Sequence, residues 1–439
     1  MSKSTASAAR PPHLVAAASA PSASKRTTDA FFRDALLCPD GSCLLATADD
    51  RSLSLYALPF GGDEQQPVAS TSKLEPAWTH MPSDSVLSSA WYPGASAYDP
   101  AMFTFATGVK DHPVHLLDGN DRRVRASYPI IDHTERFVAP HAMTFSPDGS
   151  SLYCGFENAV EIFDVSRPGE EGFRMHTTPT RSSRQGQKGI ISSLAFSPAS
   201  TTSGSSLLAA GSFSGSVALY DPAMPKPLAN LLFPSQRGGV TKILFNPVSP
   251  HLLFVASRHS THLDVWDLRN TSTRSSGGRL ARRAATNQRL GFDIDPSGTW
   301  LTAGDEDGKV SIFSAQPLPD QLEAVETFSL GTDPISTALF HPTQPWLITT
   351  SGARKFEKRR TSGSRPQRDW LDSDSESDVD ADSGREGGAQ VATSDAGVTE
   401  QQAAAVVANS HERAGALADA PCADTDSLRV WQWSASRDE

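Results

Sequence analysis

The apolar residues of this chain fall in short runs separated by turns, and the runs recur in a fixed order. An apolar strand ends in a Pro/Gly turn, a second apolar strand follows, and a polar turn leads into a third, alternating strand. The first copy is ALLCPDGSCLLATADDRSLSLYAL, residues 35 to 58, and the next is SSAWYPGASAYDPAMFTFATGVKDHPVHLLD, residues 88 to 118. Further copies occupy residues 142 to 165, 192 to 221, 241 to 268 and 290 to 313. A seventh begins at Ser336 as STALFHPTQPWLITTSG and resumes at SLRVWQW, residues 427 to 433.

Each copy supplies three strands, and the polar span before the next copy has room for a fourth on the edge, as in VETFSL from Val325 to Leu330. Four antiparallel strands make one blade of a propeller. A lone blade cannot bury both faces, so such units are stable only when stacked and closed into a ring. The pattern therefore predicts an all-β propeller of about seven four-stranded blades. The seventh copy runs out after its third strand, which leaves a bare edge. HLVAAAS, His13 to Ser19, is the segment expected to cover it, closing the ring with an N-terminal strand. The propeller then spans residues 13–353, with residues 427–439 completing the last blade, and residues 1–12 read as a disordered N-terminus.

Residues 354–426 break the pattern. They begin with the basic run RKFEKRR, pass to the acidic LDSDSESDVDAD, and end in an Ala/Gly/Ser-rich stretch without periodic apolar residues. That composition predicts a disordered charged insertion that splits the seventh blade. Ser373, Ser375 and Ser377 are flanked by acids and suit an acidophilic kinase, while RKFEKRR suits nuclear import. A solvated loop without a role fits the same composition.

Trp266-Asp267, with Tyr220-Asp221, Phe163-Asp164 and Leu117-Asp118 at equivalent places, resembles the signature of WD-repeat propellers. The SPDG and DPSG turns support that resemblance, although the glycine-histidine pair that often opens such repeats is missing.

Composition adds limits. No stretch approaches the roughly 20 uninterrupted apolar residues of a membrane helix, so no membrane association is expected. The N-terminal segment lacks a leucine-rich core and does not read as a secretory signal. Cys38, Cys43, Cys154 and Cys422 are too few and too scattered for a disulfide framework, which fits a reducing compartment. Cys38 and Cys43 could form half a zinc site, but without a second pair they read as buried thiols. No metal or cofactor is assigned.

No catalytic constellation stands out. GxSxG, GxxxxGK[ST] and HExxH are all absent from the sequence. Asp49, Asp50, Asp305 and Asp307 sit in tight turns between second and third strands, where carboxylates bond backbone amides. His112, His259 and His341 share no ligand spacing and read as turn or edge residues. A non-enzymatic binding platform is the expectation.

The net charge is -11, yet basic and amide residues concentrate in the connections that lead from one blade to the next. TRSSRQGQKG precedes the fourth copy, SQRGG the fifth and RRAATNQR the sixth. Arg181, Arg184, Gln185, Gln187, Lys188, Gln236, Arg237, Arg282, Arg283, Asn287, Gln288 and Arg289 are therefore expected near one face of three adjacent blades. Arg122, Arg123, Arg125 and Arg136 are expected on the same side before the third copy. Arginine and amide side chains combine phosphate contacts with hydrogen bonds to base edges, which suits RNA, and an acidic protein partner fits the same charge.

At these loops the chain resembles the telomerase Cajal body proteins. The resemblance rests on FFRDALLCPDGSCLLATADDRSLSLYALP at Phe31 to Pro59, PHAMTFSPDGSSLYCGFENAVEIFDVSRPG at Pro140 to Gly169, QGQKGIISSLAFSP at Gln185 to Pro198, TNQRLGFDIDPSG at Thr286 to Gly298 and HPTQPWLITTSG at His341 to Gly352. It implies a nuclear WD-repeat scaffold that recognises a loop motif in small Cajal-body guide RNAs or telomerase RNA. Such a protein would support ribonucleoprotein assembly and delivery to Cajal bodies, with a cytoplasmic pool left open. Gln185 to Gly189 and Thr286 to Arg289 match the family's strings and would form part of the RNA-facing surface. The resemblance also implies folding by the cytosolic chaperonin and contacts with the RNA's protein partners. Shorter relatives linked to pre-mRNA splicing make an adaptor for spliceosomal proteins the alternative.

Overall fold

The computed structural model describes residues 12–20, 30–59, 72–180, 183, 185–198, 206–227, 231–236, 238–270, 278–315, 323–353 and 427–433. Residues 354–426, with Ser373, Ser375 and Ser377, lie outside them, as do Arg181, Arg184, Arg237 and Cys422. The described residues contain strands and no helix, arranged in seven sheets that are antiparallel apart from one short parallel pair.

Each sheet is a meander, and its first strand lines the axis. These first strands are Phe32–Leu37, Val86–Trp91, Ala142–Phe145, Ile191–Phe196, Val240–Phe245, Phe292–Ile294 and Ile335–Phe340. Each contacts the first strand of the next blade all the way round, and the seventh contacts the first. The second strands are buried along nearly their whole length, as in Thr104–Val109 and Leu252–Ser257, because both of their faces are covered by neighbouring blades. The outermost strand of the fifth blade, Gly278–Ala284, alternates instead between buried and exposed positions.

Seven apolar clusters fill the seven junctions between blades. Close approach there demands small residues. A Cβ on Gly155, Gly211 or Gly304 would meet Ile191, Val240 or Ile335 of the next blade at 2.7, 2.5 and 2.6 Å. Those three apolar residues stand seven positions before the turn prolines Pro198, Pro247 and Pro342. At the junction of blades 5 and 6 the equivalent residue is Arg289, seven before Pro296.

The ring closes as the sequence pattern predicts. Strand order in blade 7 is Ile335–Phe340, Trp346–Ser351, Ser427–Gln432 and His13–Ser19. The N-terminal strand runs antiparallel to Ser427–Gln432, from His13 opposite Gln432 to Ser19 opposite Ser427. Trp431 Nε1 donates to Thr349 Oγ1 at 2.9 Å and ties the strand beyond the insertion to the strand before it. Val15, Ala16 and Ala18 pack with Ile348, Leu428 and Val430 and with Phe32, Leu44 and Tyr56 of blade 1. A two-residue strand, Ser72–Lys73, adds in parallel outside His13–Ser19.

Meander geometry assigns the loops to faces. Turns between first and second strands share one face with turns between third and fourth strands. Turns between second and third strands share the other face with the connections between blades. This second face carries the candidate site.

Candidate nucleic-acid interface

The connection into blade 4 is fixed by its own backbone and by Gln187. Gly186 and Gly189 both have φ of +86°, which L side chains rarely adopt, so QGQKG supplies the glycines its path requires. Gln187 is fully buried, its Nε2 donates to Ala210 O at 2.8 Å and Ser216 O at 3.1 Å, and its Oε1 accepts from Tyr220 OH at 3.2 Å. Its side chain fastens the loop to the blade and has no face toward solvent. The sequence reading of Gln187 as an RNA contact is corrected on that ground. Lys188 follows half-buried, with its carbonyl accepting from Ser212 Oγ at 2.5 Å and Ser214 Oγ at 2.6 Å. Gln185 is exposed.

The connection into blade 5 brings Gln236 against Thr261, donating to Oγ1 at 2.9 Å and accepting from its backbone N–H at 2.8 Å. Gly238 and Gly239 follow. A Cβ on Gly238 would collide with Arg258 O, and one on Gly239 would lie 2.8 Å from Phe213 O. The paired glycines thus let the chain thread between the turn carrying Phe213 in blade 4 and the turn carrying Arg258 in blade 5.

The connection into blade 6 places Asn287 Oδ1 2.7 Å from His259 Nε2, while Gln288 Nε2 donates to Gly352 O of blade 7 at 2.9 Å. Arg289 does not enter the interblade core as its apolar counterparts do. Its guanidinium lies over the Phe213 ring, 5.0 Å from the centroid, and the Arg258 guanidinium lies 4.6 Å from the same centroid. His141, at the start of blade 3, meets Phe213 edge-on at 6.2 Å. Four blades therefore contribute to one cluster at the channel mouth.

The cluster is electrostatically lopsided. Burial pushes the Arg289 guanidinium down to about 10, the Asp34 carboxylate opposes that shift, and the charges of Arg258 and Arg33 add to it. Burial, then Arg289, pushes His141 down to about 4, and burial lowers Arg258. Among the described residues no ion pair involves Arg258 or Arg289, and the Arg258 Nε is buried without a hydrogen-bond partner. Sequence reasoning found Arg289 but missed Phe213, Arg258, Arg33 and His141. An aromatic residue in the otherwise polar turn GSFSGS, and an arginine where four other blades carry isoleucine or valine, are the signals that point to the site.

Other basic residues fall elsewhere. Arg122 and Arg123 lie in the turn between Val114–Asp118 and Val124–Tyr128, and Arg125 is the second residue of the outer strand, all at the opposite end of blade 2. Arg125 pairs with Asp118 at 2.5 Å and donates to Ala101 O and Pro100 O, while Arg122 donates to Thr79 O. These three do not join the site, because the span before the third copy contains a strand whose exposed positions mask its pattern. Arg136 does lie in the connection, after that strand. Arg282 and Arg283 belong to the outer strand Gly278–Ala284. Arg282 points inward and donates to Leu290 O and Gly291 O, and Arg283 pairs with Asp307 at 2.6 Å.

The residues with catalytic potential have structural partners. Asp50 accepts from Ser52 N, and Asp305 accepts from Asp307 N and Lys309 N, as turn carboxylates do. His341 accepts from Thr343 N and Gln344 N within its turn. Ser235, His262 and Asp264 meet, but the serine Oγ lies between both partners and the carboxylate approaches the same His262 Nε2 at 3.5 Å. A catalytic triad needs the carboxylate on the other ring nitrogen, so this cluster is a buried fastener. Cys38, Cys43 and Cys154 are buried free thiols, and among the described residues no cluster of His, Cys, Asp and Glu could hold a metal.

Residues 178–221 and 289–314 match the family described as WD domain, G-beta repeat. Over 336 residues the chain is 35% identical to Telomerase Cajal body protein 1 of Mus musculus, covering 76% of this chain and 61% of that protein. It is 33% identical to Telomerase Cajal body protein 1 of Homo sapiens over 335 residues, 76% of this chain and 59% of that protein. The chain thus spans about 60% of the length of these relatives. Guanine nucleotide-binding protein negative regulator 1 of Schizosaccharomyces pombe is 28% identical over 314 residues, 70% of this chain and 76% of that protein. None of these three names is that of an enzyme. The chain is a seven-bladed WD-repeat propeller homologous, over three quarters of its length, to the telomerase Cajal body proteins.

Proposed function

We propose that the chain is a non-enzymatic scaffold that binds an unpaired loop of a small nuclear guide RNA or a telomerase-type RNA. The loop lies on the face formed by the connections into blades 4, 5 and 6. Binding there supports assembly of the ribonucleoprotein and its retention in a nuclear body. One observation carries the reading: Arg258, Arg289, Phe213 and His141 converge at the channel mouth, flanked by Lys188, Gln236, Asn287 and Gln288. Arginine and amide donors serve phosphates and base edges together, which a lysine surface does not. The names of the relatives, with telomerase and Cajal body in them, support the choice of RNA class.

Salt and pH test it together. With about three phosphate contacts, log K for single-stranded RNA falls by roughly 2 per tenfold rise in salt. Between pH 6 and 9 the affinity stays flat, because His141 is neutral above about 4 and Arg289 stays charged below about 10. Titration of binding at several salt concentrations and pH values checks both. A flat salt response, or a step near pH 6.5, contradicts the site.

A further inference from the structure

The geometry points to a single-phosphate subsite at the channel mouth, formed by the Arg258 and Arg289 guanidinium groups over Phe213. It rests on the RNA reading for its natural occupant, one phosphodiester of the bound strand.

The frame is rigid before any ligand arrives. Phe213 N donates to Ile190 O at 3.0 Å, and Arg258 N donates to Gly239 O at 2.9 Å. Gly238 and Gly239 pass so close beneath both turns that a methyl group on either would meet backbone. The ring and both arginines are half-buried, and both guanidinium carbons lie within 5.0 Å of one ring centroid. A pre-ordered site of this kind avoids much of the entropic cost of gathering two long cationic side chains.

Positive charge is in excess at the site. Two guanidinium groups share one aromatic ring, Arg33 adds a third positive charge, and neither Arg258 nor Arg289 forms an ion pair among the described residues. Asp34 supplies the opposing charge, yet its Oδ1 already accepts from Ala35 N at 2.9 Å and Thr337 Oγ1 at 3.3 Å. Cation–π contact uses no N–H donor, so the guanidinium edges keep their hydrogen-bonding capacity. The Arg258 Nε is buried without a hydrogen-bond partner, so the desolvation of this guanidinium is not compensated within the described residues. A tetrahedral phosphate presents several acceptor oxygens to two guanidinium forks at once, and its charge offsets the repulsion between them.

The full chain is titrated with tripolyphosphate, with decauridylate and with a ten-residue glutamate peptide, while thermal melting reports folding. In the wild type, tripolyphosphate binds and raises the melting temperature. Arg258→Gln weakens tripolyphosphate about tenfold and makes the decauridylate salt slope shallower by roughly 0.7, the loss of one phosphate contact. If Arg258→Gln does not melt cooperatively, Arg289→Gln and Phe213→Leu carry the same comparison. Equal tripolyphosphate binding by wild type and the folded variants overturns the subsite. If decauridylate then binds all of them with one slope, RNA binding stands and the subsite alone has failed. If tripolyphosphate binding depends on Arg258 but decauridylate does not bind, the subsite stands and the RNA reading fails. Arg258-dependent binding of the glutamate peptide at least as tight as tripolyphosphate overturns the phosphate assignment in favour of a carboxylate.

Discussion

Deletion of residues 1–19 abolishes the cooperative thermal transition of this chain. His13–Ser19 is the fourth strand of blade 7, yet it precedes blade 1 in the sequence, so its backbone pairing with Ser427–Gln432 fastens the last blade to the chain segment that leads into the first. Val15, Ala16 and Ala18 are buried against Ile348, Leu428 and Val430. Losing their burial and a ladder of backbone hydrogen bonds costs about 5–10 kcal/mol, comparable to the stability of a whole domain. The bared edge of Ser427–Gln432 would then be open to pairing with other chains. Calorimetry and size-exclusion chromatography measure the result. A truncated monomer that melts within a few degrees of the full chain contradicts the closure.

The second large effect concerns which face binds. Arg289→Glu lowers RNA affinity about 100-fold, because it removes one charge-assisted contact and adds a repulsive anion beside the strand. Arg122→Glu and Arg123→Glu, at the opposite end of blade 2, leave the affinity within about twofold. Filter binding at one salt concentration separates these outcomes, with the melting temperature of each variant as the control. Equal losses from both faces would mean that RNA responds only to net charge.

Much of this architecture is legible in the sequence, for identifiable reasons. Second strands are covered on both faces and read as apolar runs, as CLLATA and LLFVAS do. The strand His13–Ser19 follows from counting strands, since a blade that lacks a fourth must find one. SLRVWQW rejoins blade 7 across the insertion because its alternation matches the third strands of other copies. Outer strands are harder, since one side faces water. Val124–Tyr128 has exposed and half-exposed positions along most of its length, so the arginines around it read as part of a loop. Gly278–Ala284 hides Arg282 on its buried side, which the sequence RRAATNQR does not reveal. Ser72–Lys73 is too short to leave a pattern.

The site itself is only partly legible. Its glycines and amides are visible in QGQKG, SQRGG and TNQR, but Gln187 shows that a polar residue in a loop can face inward to satisfy carbonyls. Lys188 and Arg289, which the resemblance assigns to the RNA-facing surface, are half-buried. Phe213, Arg258 and His141 come from three separate copies of the repeat, and only ring closure brings them together.

Ultraviolet crosslinking of the chain to RNA in cells, with the linked peptides identified by mass spectrometry, tests the RNA-binding face most directly. Crosslinks at Phe213, Lys188 and the peptide containing Asn287 to Arg289, on small nuclear guide or telomerase-type RNA, are the predicted result. Crosslinks confined to the Arg122 to Arg125 end of the propeller, or recovery of protein partners with no crosslinked RNA, would contradict it.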